Sequence, residues 1–213
     1  MNNPTPNTVA AADSIEELKK LPKYAIRNVN WPDRYPLCPE VRFQLGWSET
    51  GLMVRFQVKE EQMRRICLND NEEVYEDSCV EFFFRPEGET TYFNLEFNSR
   101  GTLLLGHGEP RNRRRLPPEQ TELVTRNAFL LSSEKNGKTQ FEWELRATIP
   151  LELIRQEYPD FSLSPNCILE INAYKCGDKL PEPHFVSLFP IFTEKPNFHC
   201  PQFFQPVRLK EMK

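Results

Sequence analysis

Val41-Arg42-Phe43-Gln44-Leu45-Gly46-Trp47-Ser48-Glu49-Thr50-Gly51-Leu52-Met53-Val54-Arg55-Phe56-Gln57-Val58 is the stretch on which the fold turns. Val41, Phe43, Leu45 and Trp47 alternate with Arg42, Gln44, Gly46 and Ser48, and Leu52, Val54, Phe56 and Val58 alternate with Met53, Arg55 and Gln57. A period of two sends successive side chains to opposite faces of a strand, so each run has one apolar and one polar face. The turn at Glu49-Thr50-Gly51 joins them as an antiparallel hairpin, one face in a core and the other in water.

The same pattern recurs outward from the hairpin. Cys79 to Arg85 and Thr91 to Asn98 read as strands around a tight turn at Pro86 to Glu89, with Gly101 to Gly106 as the next. Glu122 to Ser132 and Gln140 to Thr148 flank Asn136-Gly137, a dipeptide suited to the left-handed torsions of a two-residue hairpin turn. Cys167 to Lys175, His184 to Leu188 and Val207 to Lys210 complete the set. Helical signals are few. Ser14, with Glu17 three residues on, forms a capping box for a short N-terminal helix that Pro22 stops, and Pro150 takes the first position of a second short helix over 150–156. Lys59 to Glu76 is polar, aperiodic and long, as functional loops often are. Glu109 to Glu119, with Arg111, Arg113, Arg114 and Arg115, reads as a solvated loop. Short strands with regular turns predict an all-β chain: a two-sheet antiparallel β-sandwich, one domain over 1–213 with residues 1–12 flexible.

Composition narrows the function classes. Sixteen Phe among 213 residues suit the space between two sheets. With 27 basic and 31 acidic side chains the net charge is −4, which provides no basic field for nucleic acid. No apolar run approaches the ~20 residues of a membrane span. The N-terminus lacks a basic stretch followed by an apolar one, so a cytoplasmic location is expected. Cysteines at 38, 67, 79, 167, 176 and 200 form no Cys-x-x-Cys pair, and His107, His184 and His199 are widely spaced, so no metal centre is expected. Cys79 and Cys167 sit in apolar runs and read as buried thiols, whereas Cys38 and Cys200 lie in Pro-rich segments and would be the pair to join in an oxidising compartment.

The informative region is Val74 to Asn98. Along the first strand Asp77, Cys79, Glu81 and Phe83 share one side; along its partner Asn94, Glu96 and Asn98 share one side. Paired with these sides together, Asp77, Glu81, Asn94, Glu96 and Asn98 form one patch of carboxylates and amides. Such groups accept from and donate to vicinal hydroxyls. A solvated outer face of a sheet would show the same alternation.

This region also carries a resemblance. Tyr75-Glu76-Asp77-Ser78-Cys79-Val80-Glu81-Phe82-Phe83 resembles the Trp-Glu-x-Asp-Ser-Val-Glu-hydrophobic-Phe signature of family 9 carbohydrate-binding modules, in the DOMON-like β-sandwich group, with Cys79 as an added residue. Arg42 to Val58 resembles the family's early hairpin, Phe93-Asn94-Leu95-Glu96 its next central strand, Glu144 to Leu151 its strand ending in Ile-Pro, and Cys200-Pro201-Gln202-Phe203-Phe204 its closing segment. The resemblance covers roughly residues 24 to 210 and implies a non-catalytic module for saccharide, linked to polysaccharide catabolism. By position it makes Tyr75 one clamping ring, Glu81 a carboxylate and Asn94 the counterpart of a basic side chain. Phe192 or Phe198 falls where the second ring would be, and Asn172 near a strand end is a further candidate. No cofactor is expected, though family members can hold structural calcium, for which Asp70, Glu72 and Glu73 supply oxygens without the spacing of a calcium loop.

Other classes remain open on the residues alone. Glu81 and Glu96 would serve as the carboxylate pair of a glycoside hydrolase if their spacing fits. Met63 and His107 are the pair that a haem-binding sandwich would use. A protein-binding sandwich domain needs no motif at all.

Overall fold

The computed structural model describes residues 6–135 and 137–211. In chain order the strands are β1 Thr8–Ala10, β2 Tyr24–Ala25, β3 Asn28–Val29, β4 Glu40–Ser48, β5 Gly51–Glu60, β6 Cys79–Pro86, β7 Tyr92–Asn98, β8 Leu103–Glu109, β9 Asn112–Arg115, β10 Thr125–Lys135, β11 Lys138–Pro150, β12 Ile168–Cys176, β13 Phe185–Ser187 and β14 Gln205–Lys210. Among the described residues three short α-helices join them, α1 Ile15–Leu18, α2 Pro118–Thr121 and α3 Leu151–Glu157, with tighter 3-10 turns at Val74–Glu76 and Pro201–Phe203. One sheet runs β10-β11-β5-β4-β2; the other runs β1-β14-β12-β6-β7-β8-β9, with β13 and β3 attached beside β12. This is the expected two-sheet sandwich.

The deciding hairpin pairs in the register its pattern requires: Val41 with Val58, Phe43 with Phe56, Leu45 with Val54 and Trp47 with Leu52, all buried. These side chains meet Phe82, Phe84, Phe93 and Leu95 from the opposite sheet, with Phe43 and Phe82 rings 5.8 Å apart across the layers. Its other face is drier than alternation predicts. α1, capped as expected by the Ser14 hydroxyl accepting from Glu17 N–H, lies on it and fully buries Leu18 against Met53 and Ala12. Burial of one leucine is worth about 2 kcal/mol. Gln44 is buried there because its amide donates to the helix-end carbonyls of Leu18 and Leu21, at 2.9 and 2.6 Å. Helix C-terminal carbonyls need such a partner once covered.

Several local expectations are corrected. The stretch over 1–12 is not loose throughout: Thr8–Ala10 pairs with Arg208–Lys210, and does so in parallel, so the sheet is not purely antiparallel. Residues 1–5 lie outside the described residues, as does Asn136; Gly137 does take the left-handed torsion, φ +73°. Pro150 is the residue before α3 rather than its first. The arginine-rich loop is instead β9, a hairpin partner of β8. Its turn is tight enough that a Cβ at Gly108 would sit 2.5 Å from Asn112 O, and Gly108 has φ +138°. Cys79 is buried as expected, Cys167 is half-buried, and all six cysteines, Cys38 and Cys200 included, are free thiols.

A buried polar clip joins the sheets. Lys175 Nζ of β12 is 2.9 Å from Glu60 Oε2 of β5, donates to Cys176 O at 2.8 Å and meets His184 Nε2 at 2.8 Å. Glu60 Oε1 accepts from Trp143 Nε1 at 2.7 Å. Burial and the Lys175 charge pull the His184 pKa down to about 2, so its imidazole is neutral and accepts from the ammonium. No helix among the described residues is long and apolar enough to cross a membrane.

Candidate functional site

The register of the central strands builds the site floor. Glu81 of β6 stands opposite Glu96 of β7, and Asn94 stands opposite Gly106 of β8. Glu81, Asn94 and Glu96 are 3%, 2% and 4% exposed, so this face is not a solvated outer surface. A second apolar cluster explains the burial. Trp31, Ile191, Phe198 and Phe204, from irregular segments, pack on Phe83, Tyr92 and Tyr174 of the large sheet's outer face. They cover the sheet except over a cavity of about 430 Å³, lined by Tyr75, Glu81, Asn94, Glu96, Arg113, Cys176, Asp178, Phe185, Phe198 and His199 among others. Its size falls in the range of small-molecule sites.

Each wall has a fixed support. Tyr75 is held through its carbonyl, which accepts from Asp178 N–H at 3.1 Å and lies 3.6 Å from Cys176 Sγ. Phe198 stacks on Tyr174 with centroids 4.2 Å apart and an 11° tilt, and Phe185 meets it edge-on. His199 stacks on Phe83 and places Nδ1 2.9 Å from Tyr92 Oη. β9 adds three arginines. Arg114 is paired with Glu157 at 2.7 Å and Arg115 with Glu73 at 3.0 Å. Arg113 lies over the Tyr92 ring, 6.0 Å from its centroid, and donates to Pro110 O of its own turn.

The floor is rich in oxygen yet close to neutral. Asn94 Nδ2 donates to Glu96 Oε1 at 2.9 Å, which leaves Asn94 Oδ1 buried with no partner. Gly106 makes room for that amide, since a Cβ there would collide with Asn94 Oδ1. Cys176 Sγ donates to Glu81 Oε1 at 3.0 Å. Burial, then the charge of Glu96, raises the Glu81 carboxyl well above its usual range; burial raises Glu96 to about 7. Two carboxylates facing each other in a dry site cannot both ionise cheaply, so near neutrality the pair keeps at least one proton. Burial also raises Asp178 to about 6 and lowers His199 to about 3.

The profile of carbohydrate-binding family 9 matches residues 10–209. The chain belongs to carbohydrate-binding family 9. A Bacteroides uniformis crystal structure, of a protein with a provisional carbohydrate-binding assignment, is 33% identical, with TM-score 0.84 and coverage of 95% of this chain and 97% of that one. Two structures of a family 9 module from Caldicellulosiruptor kristjanssonii share the fold. The cellotriose complex is 11% identical with TM-score 0.57, covering 97% and 94%; the glucose complex is 13% identical with TM-score 0.54, covering 97% and 96%. No curated protein matches the chain.

The family 9 signature opens on a tight helical turn at Val74–Glu76 and enters regular strand at Cys79. Cys79 pairs directly with Asn98 without a bulge, so its presence does not disturb the register. Of the expected site residues, the fold brings Tyr75, Glu81, Asn94 and Glu96 together around the cavity. Asp77 and Asn98 are on the expected side but are consumed by structure. Asp77 accepts from Ile66 N and Cys67 N, both at 2.9 Å, and pairs with Arg64 at 2.5 Å; Asn98 donates to Asp77 and to Cys67 O. Asn172 is also outside the cavity, its amide clipping Phe189 to β12. Phe192 is 77% exposed and packs on Phe203, while Phe198, the other candidate, lines the cavity. Lys175, on the other face of β12, points between the sheets. Sequence reasoning missed Asp178 and His199, which come from irregular segments with no period to read, and Phe185, at the start of the short strand β13, and it placed Arg113 in a solvated loop.

The residues weighed for other ligands are engaged elsewhere. Asp70 accepts from Leu103 N and pairs with Arg126, Glu72 holds Leu68 N and Asn69, and Glu73 holds Arg115. His107 has Tyr158 Oη 3.1 Å from Nε2 and Glu157 Oε2 3.0 Å from Nδ1.

Proposed function

We propose that this cavity is where the chain, as a non-catalytic family 9 module, binds saccharide. The observation that carries the reading is the buried amide oxygen of Asn94, which lacks a donor in a cavity whose walls are aromatic. A buried acceptor left unpaired costs about 1–3 kcal/mol, and a ligand hydroxyl supplies the missing donor. The half-protonated Glu81 and Glu96 pair can accept from one hydroxyl and donate to another. Tyr75 and Phe198 offer apolar surface to the C–H face of a sugar ring. A neutral, hydroxyl-rich ligand fits this floor better than an anion. The saccharides held by the two Caldicellulosiruptor modules, glucose and cellotriose, are ligands of that kind. Such a module would serve beside enzymes of polysaccharide breakdown.

Calorimetric titration with glucose, cellotriose and a panel of other neutral saccharides tests the reading. A millimolar to micromolar Kd, about −4 to −8 kcal/mol, is expected for at least one of them. Tyr75→Ala and Asn94→Ala should each weaken it about tenfold or more, while Phe192→Ala at the exposed position changes it less than about twofold. Absence of heat with every saccharide, or unchanged affinity in both cavity variants, would sink the proposal.

A further inference from the structure

Beneath the hydroxyl-binding groups, the cavity floor holds a second set of donors. Cys79 of β6 and Cys176 of β12 are direct cross-strand partners, and Glu81 follows Cys79 by two residues on the same face. All three are buried, and their ligating atoms lie within 4.8 Å of one another. A tetrahedral ion bound to sulfur at about 2.3 Å needs neighbouring donors about 3.8 Å apart, which rotamer adjustments of this size reach. Two thiols and a carboxyl are the donors of a borderline-soft divalent cation and not of calcium.

We propose that Cys79, Cys176 and Glu81 form a three-ligand site for a thiophilic divalent cation, with Zn2+ the fitting ion and the fourth position open to the cavity. Cys176 and Glu81 line the cavity, whereas Cys79 does not, so the ion would be reached from the cavity side. The side-chain atoms that would coordinate it now hold protons that have few other uses. Cys176 Sγ donates to Glu81 Oε1 at 3.0 Å, the two thiols interact with each other, and Cys79 Sγ is a long 3.7 Å from Val80 O. On binding, each S–H gives its proton to solvent and each sulfur forms a bond to the ion; a proton held by Glu81 leaves in the same way. No electrons change hands. The complex would carry one net negative charge, beside the Arg113 guanidinium in the cavity wall. Uptake should therefore release protons and strengthen as pH rises.

The site needs no saccharide, so it is tested without one and stands or falls apart from the saccharide reading. Cd2+ titrated into the reduced, chelator-treated chain should give the ultraviolet thiolate-to-cadmium absorption, saturating at a single ion per chain, with Zn2+ competing. Cys79→Ala and Cys176→Ala should each weaken uptake by more than about tenfold, and Cys38→Ser, at an exposed thiol, should leave it unchanged. Because buried cysteine variants can fail to fold, zinc-soaked crystals of the unaltered chain give an independent reading: an anomalous peak between the two sulfurs is expected. A titration with no saturating band, a band abolished by Cys38→Ser, or soaked crystals without density at the cavity floor would each overturn the proposal.

Discussion

Asn94 and Asp77 sit on the same polar side of the central strands and have opposite fates. Asn94 keeps an unpartnered oxygen toward the cavity because Gly106, directly across on β8, leaves space for its amide. In Gly106→Ala the new methyl displaces that amide, and saccharide affinity should fall about tenfold or more, as read by calorimetry. Asp77 instead ties down the chain that returns at Ile66 and Cys67. Asp77→Ala strands two backbone N–H groups and the Arg64 charge, so unfolding in urea should show a loss of about 3 kcal/mol. Alternation in the sequence identified the face that both occupy. It contained nothing about which loop would fold back on which residue, because that contact spans segments with no common period.

β9 shows the same limit at the scale of an element. Its four residues lack apolar alternation and read as loop, but edge pairing with β8 makes them strand and brings Arg113 to the cavity. β12 carries the converse case, a charged residue inside a run that faces the core. Lys175 is tolerated because Glu60 from the other sheet meets it with Trp143 and His184 in attendance. Lys175→Met should therefore cost about 3–5 kcal/mol, since Glu60 is left charged and dry, whereas Lys175→Met with Glu60→Leu should recover most of that loss. Urea midpoints of the two variants measure the difference. Equal loss in both would mean that the clip is not the source.

Over the whole molecule the buried ionisable groups pull stability in opposite directions with pH. His184 and His199 are held near pKa 2 and 3 when folded but titrate near 6.5 when exposed. The unfolded chain thus binds more protons as pH drops below 6.5, and stability falls on that side. Asp77 and Glu144, lowered by hydrogen bonds and arginines against the burial that raises them, add to the acid limb. Glu81 and Glu96 act the other way. Their folded pKa values are raised, Glu96 to about 7 from 4.5, so the folded chain keeps protons that the unfolded chain has released, and stability declines as pH rises through that window. Thermal melting against pH should show a maximum between the two limbs, with Glu96 contributing to the neutral-side loss. Glu96→Gln should flatten the neutral-side limb. An unaltered limb in that variant would show that another group is responsible.

The two-sheet sandwich, its hairpins and the common face of Glu81, Asn94 and Glu96 were determined by the sequence itself. A period of two fixes which side chains share a face, and a one-residue slip would turn Phe43, Phe56, Phe82 and Phe84 away from the space between the sheets. Family membership was legible because the signature runs from the turn at Val74–Glu76 into the periodic strand β6. Only the tertiary structure decided that the polar face is a cavity floor. The segments that cover it, around Trp31 and from Ile191 to Phe204, are irregular, and their position depends on long-range apolar packing. That packing dries Glu81, Asn94 and Glu96 and leaves Phe192 outside while Phe198 enters the wall; the loop returning at Ile66 and Cys67 engages Asp77 and Asn98, and Phe189 engages Asn172. Local pattern sets the direction in which a side chain points; what it meets there is set by chain that is distant in sequence.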